Sequence, residues 1–199
     1  CTVRGIDQIG SSQKAGPVVS HLHISRTLRE GAARIMAGEA DLLLAFDMLT
    51  AAQPHHLGVA ASERTVLVAN LDMVPTGAIV TDVRRAVPEP EVLRSRLATL
   101  TRPSGHFIPA LTLARRVLGN EAAANLLLVG AAYQAGAIPL PRTAIEQAIR
   151  MNGVAVDANL RAFHWGRIAV HAPAIVEQTL QPSGATVPAT TVPPALAAA

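Results

Sequence analysis

Two hydrophobic periods divide the chain. Up to about residue 109 the apolar residues fall in short alternating or continuous runs bounded by turn formers, and beyond it they recur at helical spacing. Cys1 to Ile6 predicts a short strand. Val18 to Ile24, with Val18, Ser20, Leu22 and Ile24 sharing a period of two, predicts the next. Arg26 to Met36 carries Leu28, Ala32, Ile35 and Met36 at helical spacing, with Gly38 as its stop. Asp41 to Phe46 is an uninterrupted apolar run, as a strand covered on both faces requires. Leu49 to Leu57 follows as a crossover helix shortened by Pro54, then strands over Arg64 to Asn70 and Ala78 to Thr81.

The spacing of about 22 residues from strand to strand is the βαβ rhythm of a three-layer α/β domain. Pro88 to Leu100 reads as a helix with Pro90 near its first position and Glu91 in its first turn. A last short strand covers Gly105 to Pro109. Helices then run over Ala110 to Leu118, Glu121 to Tyr133 with Asn120 as N-cap, Pro141 to Met151, Val156 to His171 and Ile175 to Leu180. In the second of these, Ala124, Leu127, Leu128, Ala131 and Ala132 form a small-residue face suited to close packing. Gly166 inside the long helix is expected to cost some stability. From Gln181 the sequence is rich in Pro, Thr and Ala without a periodic apolar pattern, and a disordered tail is expected over 181–199. The expected organisation is one domain over 1–180, α/β in front and helical behind.

Composition narrows the chemistry. The net charge is +3, and sixteen arginines accompany one lysine, Lys14. The arginines are scattered, without the basic stripe and aromatic readers of a nucleic-acid binder, so no nucleic-acid partner is expected. Cys1 is the only cysteine, which excludes an intrachain disulfide and a cysteine-held iron–sulfur cluster in this chain. With no signal peptide and no run of 18 apolar residues, a cytoplasmic protein without a membrane partner is expected. Walker, HExxH, Gly-x-Ser-x-Gly and GxGxxG motifs are absent.

The polar loop Gly10 to Gly16, leading into the strand that carries His21 and His23, concentrates the reactive groups. Lys14 suits a carboxylate or phosphate in a loop at a strand end. His21 and His23, two apart on a strand, point to one face. With His55 and His56 they suggest a metal, but no carboxylate is fixed beside them, and satisfied histidines on a crevice wall are the favoured reading. Asp47 and Asn70 end strands, where polar groups either act on ligands or cap the next helix. Trp165 and Arg167, of types enriched at interfaces, are interface candidates, with core packing the alternative for Trp165.

The run Ser12 to Ile24 resembles the segment of the gamma-type domain of 2-oxoacid:ferredoxin oxidoreductases in which a Gln-Arg/Lys-Gly-Gly loop enters a strand with Ser-His. The likeness is closest to the beta subunit, or its fused form, of indolepyruvate ferredoxin oxidoreductase. Asp41 to Leu44, Asn120 to Gly130, Ala137 to Ile149, and Asn152-Gly153 with Asn159, Phe163 and Gly166 follow in the same order. Ala15 replaces the first glycine of the pair, and His23 stands where arginine is common.

The resemblance implies a Rossmann-like domain that here lacks its first strand and glycine-rich turn. It implies a share in the oxidative decarboxylation of an aryl 2-oxoacid to an acyl-CoA, with ferredoxin as acceptor. Thiamine diphosphate, Mg²⁺, iron–sulfur clusters and CoA would belong to the complete enzyme, and none is expected to be bound by this chain alone. The partners implied are the thiamine-diphosphate-binding subunit or domain, ferredoxin through the complex, and a possible second copy of the chain. Lys14, Gly16, Ser20, His21 and His23 would form a wall near substrate or cofactor, as positioning groups, with no catalytic residue in this chain. A purely structural domain and a Rossmann-like nucleotide-binding enzyme are the alternatives.

Overall fold

A computed structural model describes residues 1–9, 18–27, 31–73 and 88–181. The chain is a mixed α/β fold with an antiparallel sheet, a parallel strand pair and a helical C-terminal half, the architecture of an open Rossmann-like domain. It divides into two compact units, one of residues 1–67 and 73–105, the other of 68–72 and 106–199.

In the first unit β1 (Thr2–Ile9) and β2 (Val18–Ser25) pair as a two-stranded antiparallel ribbon. The register joins Val3 to Ile24, Gly5 to Leu22 and Asp7 to Ser20, which puts these residues on one face. Arg4, Ile6, His21 and His23 take the other. β3 (Leu42–Ala45) follows and then two single-turn helices, α1 (Met48–Ala51) and α2 (Pro54–Leu57). The crossover helix expected over Leu49 to Leu57 is therefore broken in two. Pro54 has no N–H to continue α1 and instead starts α2, where its fixed φ is an advantage. β4 (Val66–Asn70) is a buried strand, and α3 (Pro90–Thr99) turns Leu93 and Leu97 inward. In the second unit β5 (His106–Ile108) runs parallel to the 68–70 part of β4.

The helix expected over Arg26 to Met36 is absent among the described residues of that stretch. Its helical hydrogen bond from the Ile35 N–H to the Gly31 carbonyl is replaced at both ends by the ribbon. Arg4 Nη2 donates to the Gly31 carbonyl at 2.7 Å, and the Ile35 N–H donates to His21 Nδ1 at 3.2 Å. Gly31 itself sits at φ 118°, which only glycine adopts easily. The expected strand at Ala78 to Thr81 and the tail beyond Gln181 lie outside the described residues.

The second unit is built from α4 (Ala110–Leu118), a 3₁₀ turn (Glu121–Ala123), α5 (Ala124–Gln134), α6 (Arg142–Asn152), α7 (Val156–His171) and α8 (Pro173–Leu180). Gly119 closes α4 in the left-handed conformation, and Asn120 caps the 3₁₀ turn through the Ala122 N–H. The expected small-residue face of α5 is buried: Ala124, Leu127, Leu128, Ala131 and Ala132. It packs on α7 closely enough that side chains are excluded at two points. A Cβ on Gly166 would lie 1.7 Å from the Leu127 carbonyl oxygen, and one on Gly130 would lie 2.0 Å from that of Phe163. Gly166, read from the sequence as a weakness of its helix, is what lets the two backbones touch.

Candidate functional site

The ribbon carries the predicted wall residues that the structure describes. His21 is 6% exposed. Its Nδ1 accepts the Ile35 N–H, so the proton of the neutral ring sits on Nε2. Burial, followed by the charges of Arg34, His23 and His56, pushes its pKa below the usual histidine value. At neutral pH His21 is an uncharged acceptor that anchors the 31–35 segment. His23 shares its face, and its Nε2 is buried with no hydrogen-bond partner among the described residues. Ser20 points the other way, donating its hydroxyl to Asp7 Oδ1 at 2.6 Å on an exposed surface. Ser20 and His21 therefore do not line one wall. Lys14 and Gly16 lie outside the described residues.

His56 is fixed separately, its Nδ1 donating to the Thr50 carbonyl at 2.8 Å, with the His55 ring 3.9 Å away. Among the described residues no group of three His, Cys, Asp or Glu side chains is arranged to hold a metal ion. Cys1 is exposed and single, so the donors do not fit an iron–sulfur cluster, which takes about four thiolates.

The two strand-end residues serve helices. Asp47 caps α1, accepting from the Leu49 N–H at 3.0 Å, the Thr50 N–H at 3.2 Å and the Thr50 hydroxyl at 2.6 Å. Asn70 is buried, and its Oδ1 accepts the Ala110 N–H at 3.1 Å at the start of α4. Asp72 completes that cap, accepting from the Leu111 and Thr112 N–H groups at 2.7 and 3.0 Å and from the Thr112 hydroxyl at 2.6 Å. Asp72 escapes a reading of the sequence, because the helix it caps starts 38 residues further on. Its only local sign is an Asn-x-Asp pair closing a buried strand.

Trp165 and Arg167 are buried in the second unit. Arg167 follows the close contact at Gly166, and its Nε donates to Gln134 Oε1 at 3.0 Å. Its guanidinium lies 5.6 Å from the centre of the Tyr133 ring, within cation–π range. Nearby, Glu146 meets Arg142 at 3.5 Å, Arg150 at 3.7 Å and His164 at 3.7 Å. Burial lowers the His164 pKa more than Glu146 raises it. Sequence reasoning missed this cluster, since its members are spread over three helices.

What these arrangements do is anchor, cap and pack. No helix among the described residues is long and apolar enough to cross a membrane. No curated protein matches the chain. Residues 1–169 match the family described as pyruvate ferredoxin/flavodoxin oxidoreductase. With most of its length inside that match, the chain belongs to the pyruvate ferredoxin/flavodoxin oxidoreductase family.

Proposed function

We propose that this chain is the gamma-type part of an indolepyruvate-type 2-oxoacid:ferredoxin oxidoreductase, and that its own task there is assembly. In this reading the complete enzyme oxidatively decarboxylates an aryl 2-oxoacid to an acyl-CoA and passes the electrons to ferredoxin. Thiamine diphosphate, Mg²⁺ and iron–sulfur clusters reside on partner subunits or domains and supply the carbanion and electron-transfer chemistry.

The observation that carries the assembly role is the outer face of the ribbon. Val3 and Leu22 are 55% and 54% exposed and neighbour each other on the face away from His21 and His23, and Val18, 61% exposed, lies on the same face beyond the Asp7–Ser20 pair. Apolar residues grouped on one exposed face favour a protein partner. The thiamine-diphosphate-binding subunit is the partner this reading assigns. His21 and His23 lie on the inner face, where His21 stiffens the ribbon from behind, and Lys14 is a positioning group toward the shared site.

The test is reconstitution with the thiamine-diphosphate-binding subunit, followed by 2-oxoacid-dependent viologen reduction. Indolepyruvate is expected to be turned over faster than pyruvate. Leu22→Asp is expected to abolish both co-purification and activity. Activity that survives with Leu22→Asp and Val3→Asp combined would remove the docking role of the ribbon. Reduction of viologen with pyruvate but not indolepyruvate would remove the subtype. A fully assembled enzyme inert toward every 2-oxoacid would remove the reaction.

A further inference from the structure

His164 lies on α7 and faces α6. Its Nε2 is 3.7 Å from Glu146 Oε1, and its Nδ1 is buried with no hydrogen-bond partner among the described residues. A neutral ring turns its Nε2–H toward Glu146 and leaves Nδ1 as a bare acceptor. Protonation puts an N–H at Nδ1. A buried donor without a partner is costlier than a buried acceptor, and the ring must then carry its charge out of water.

The surrounding charges do not offset that cost. Glu146 is the carboxylate that favours the imidazolium, and it also meets Arg142 at 3.5 Å and Arg150 at 3.7 Å. Arg142 and Arg150 from α6 and Arg167 from α7 itself oppose the added charge. The one titratable side chain of α5 is Tyr133, whose ring meets Phe163. Arg115 and Arg116 of α4, Glu121 of the 3₁₀ turn and Glu177 of α8 are not among the groups that shift His164. The Phe163 ring stands edge-on 5.9 Å from His164 as an apolar neighbour.

The helix across from His164 is weakly tied. Ile149 is the one buried residue of α6, Arg142, Ile145 and Glu146 are half-buried, and the rest face water. α5 and α7, in contrast, touch backbone to backbone at Gly130 and Gly166. Strain at the ring is therefore relieved by moving α6.

We propose that His164 is an acid-released latch: neutral, it holds α6 against α7, and protonated, it lets α6 swing away while α5 and α7 stay packed. The latch stands on residues of the second unit and is independent of whether the ribbon docks a thiamine subunit. The sign follows from linkage. Burial keeps the closed ring below the usual value of 6.5, which the opened ring regains in water. The opened form thus binds more protons as pH falls through 6.5, and its population grows.

The experiment is amide hydrogen exchange of the full chain, read by NMR at about pH 7.5 and about pH 5.5 and corrected for the intrinsic pH dependence of exchange. Protection over residues 146–152 is expected to fall about fivefold or more at the lower pH, while 127–132 and 163–168 keep theirs. His164→Gln retains a polar end and does not titrate, and it is expected to hold the protection of α6 equal at both values. Protection lost evenly over α5, α6 and α7 would mean unfolding of the whole unit and overturn the latch. So would an acid loss that survives His164→Gln, or no loss in the wild-type chain. If the variant does not fold, the ring's own NMR titration in the wild-type chain decides. A midpoint at or above 6.5 would overturn the proposal, because protonation would then tighten the closed form.

Discussion

The β1–β2 ribbon leaves Val3, Val18 and Leu22 at its surface, whereas α5 and α7 bury Leu127, Leu128, Ala131, Phe163 and Ile168 against each other. The helix pair satisfies its hydrophobic demand within its own unit. A two-stranded ribbon is at best marginally stable by itself, and this one keeps apolar side chains, Ile6 on its other face included, in contact with solvent. If the proposed docking role of the ribbon holds, stability and assembly fall to different stretches of one chain, and mutations should separate them.

The largest effect is expected at the helix contact. Gly166→Ala would normally favour a helix by up to about 1 kcal/mol, because alanine is the better helix former. Here the added Cβ meets the Leu127 carbonyl, so a loss of roughly 3 kcal/mol or more is expected, read by urea denaturation. Gly130→Ala should act the same way through Phe163. A stabilised Gly166→Ala protein would show that the two helices do not approach this closely.

Next is the anchor behind the ribbon. His21→Ala strands the Ile35 N–H and is expected to cost about 1–3 kcal/mol, with hydrogen exchange quickening over residues 31–38. The same bond gives an acid limb. The pKa values of His21, His106 and His164 all lie below 6.5 in the folded chain, chiefly through burial. The unfolded chain therefore binds more protons as pH falls through 6.5, and folding stability declines from there toward the lowered native values. Above that range these histidines add no pH dependence to stability. His21→Ala should flatten the acid limb, and an unchanged slope would show that His21 does not bury a neutral ring.

Removing a helix cap is smaller. Asp72→Ala is expected to cost about 1 kcal/mol through the exposed N–H groups of Leu111 and Thr112, measured as a lowered urea midpoint. The smallest effect on stability is expected for Leu22→Asp, within about 0.5 kcal/mol, because the position is already in water. Its loss should appear in partner binding alone. A large loss of folding stability there would erase the contrast between ribbon and helix pair.

The period of the apolar residues was enough to identify both ribbon strands, the buried β4 run, all the helices from Ala110 onward and the close-packing face of α5, since each is a local pattern repeated over several residues. Cap chemistry was local too, and Asp47 and Asn120 were readable from the residues that follow them. The tertiary structure alone decided the rest. Leu28, Ala32, Ile35 and Met36 have helical spacing, yet Arg4 and His21 take the hydrogen-bonding groups of Gly31 and Ile35 from across the ribbon. Asp72 caps a helix far along the chain, and Arg167 meets Gln134, and His164 meets Glu146, only when three helices pack. Hydrophobic period is written in neighbours, but the value of a glycine, a histidine or an arginine depends on which distant backbone comes to meet it. Gly166 shows this most directly: along its helix it is a defect, and against Leu127 it is the one residue that fits.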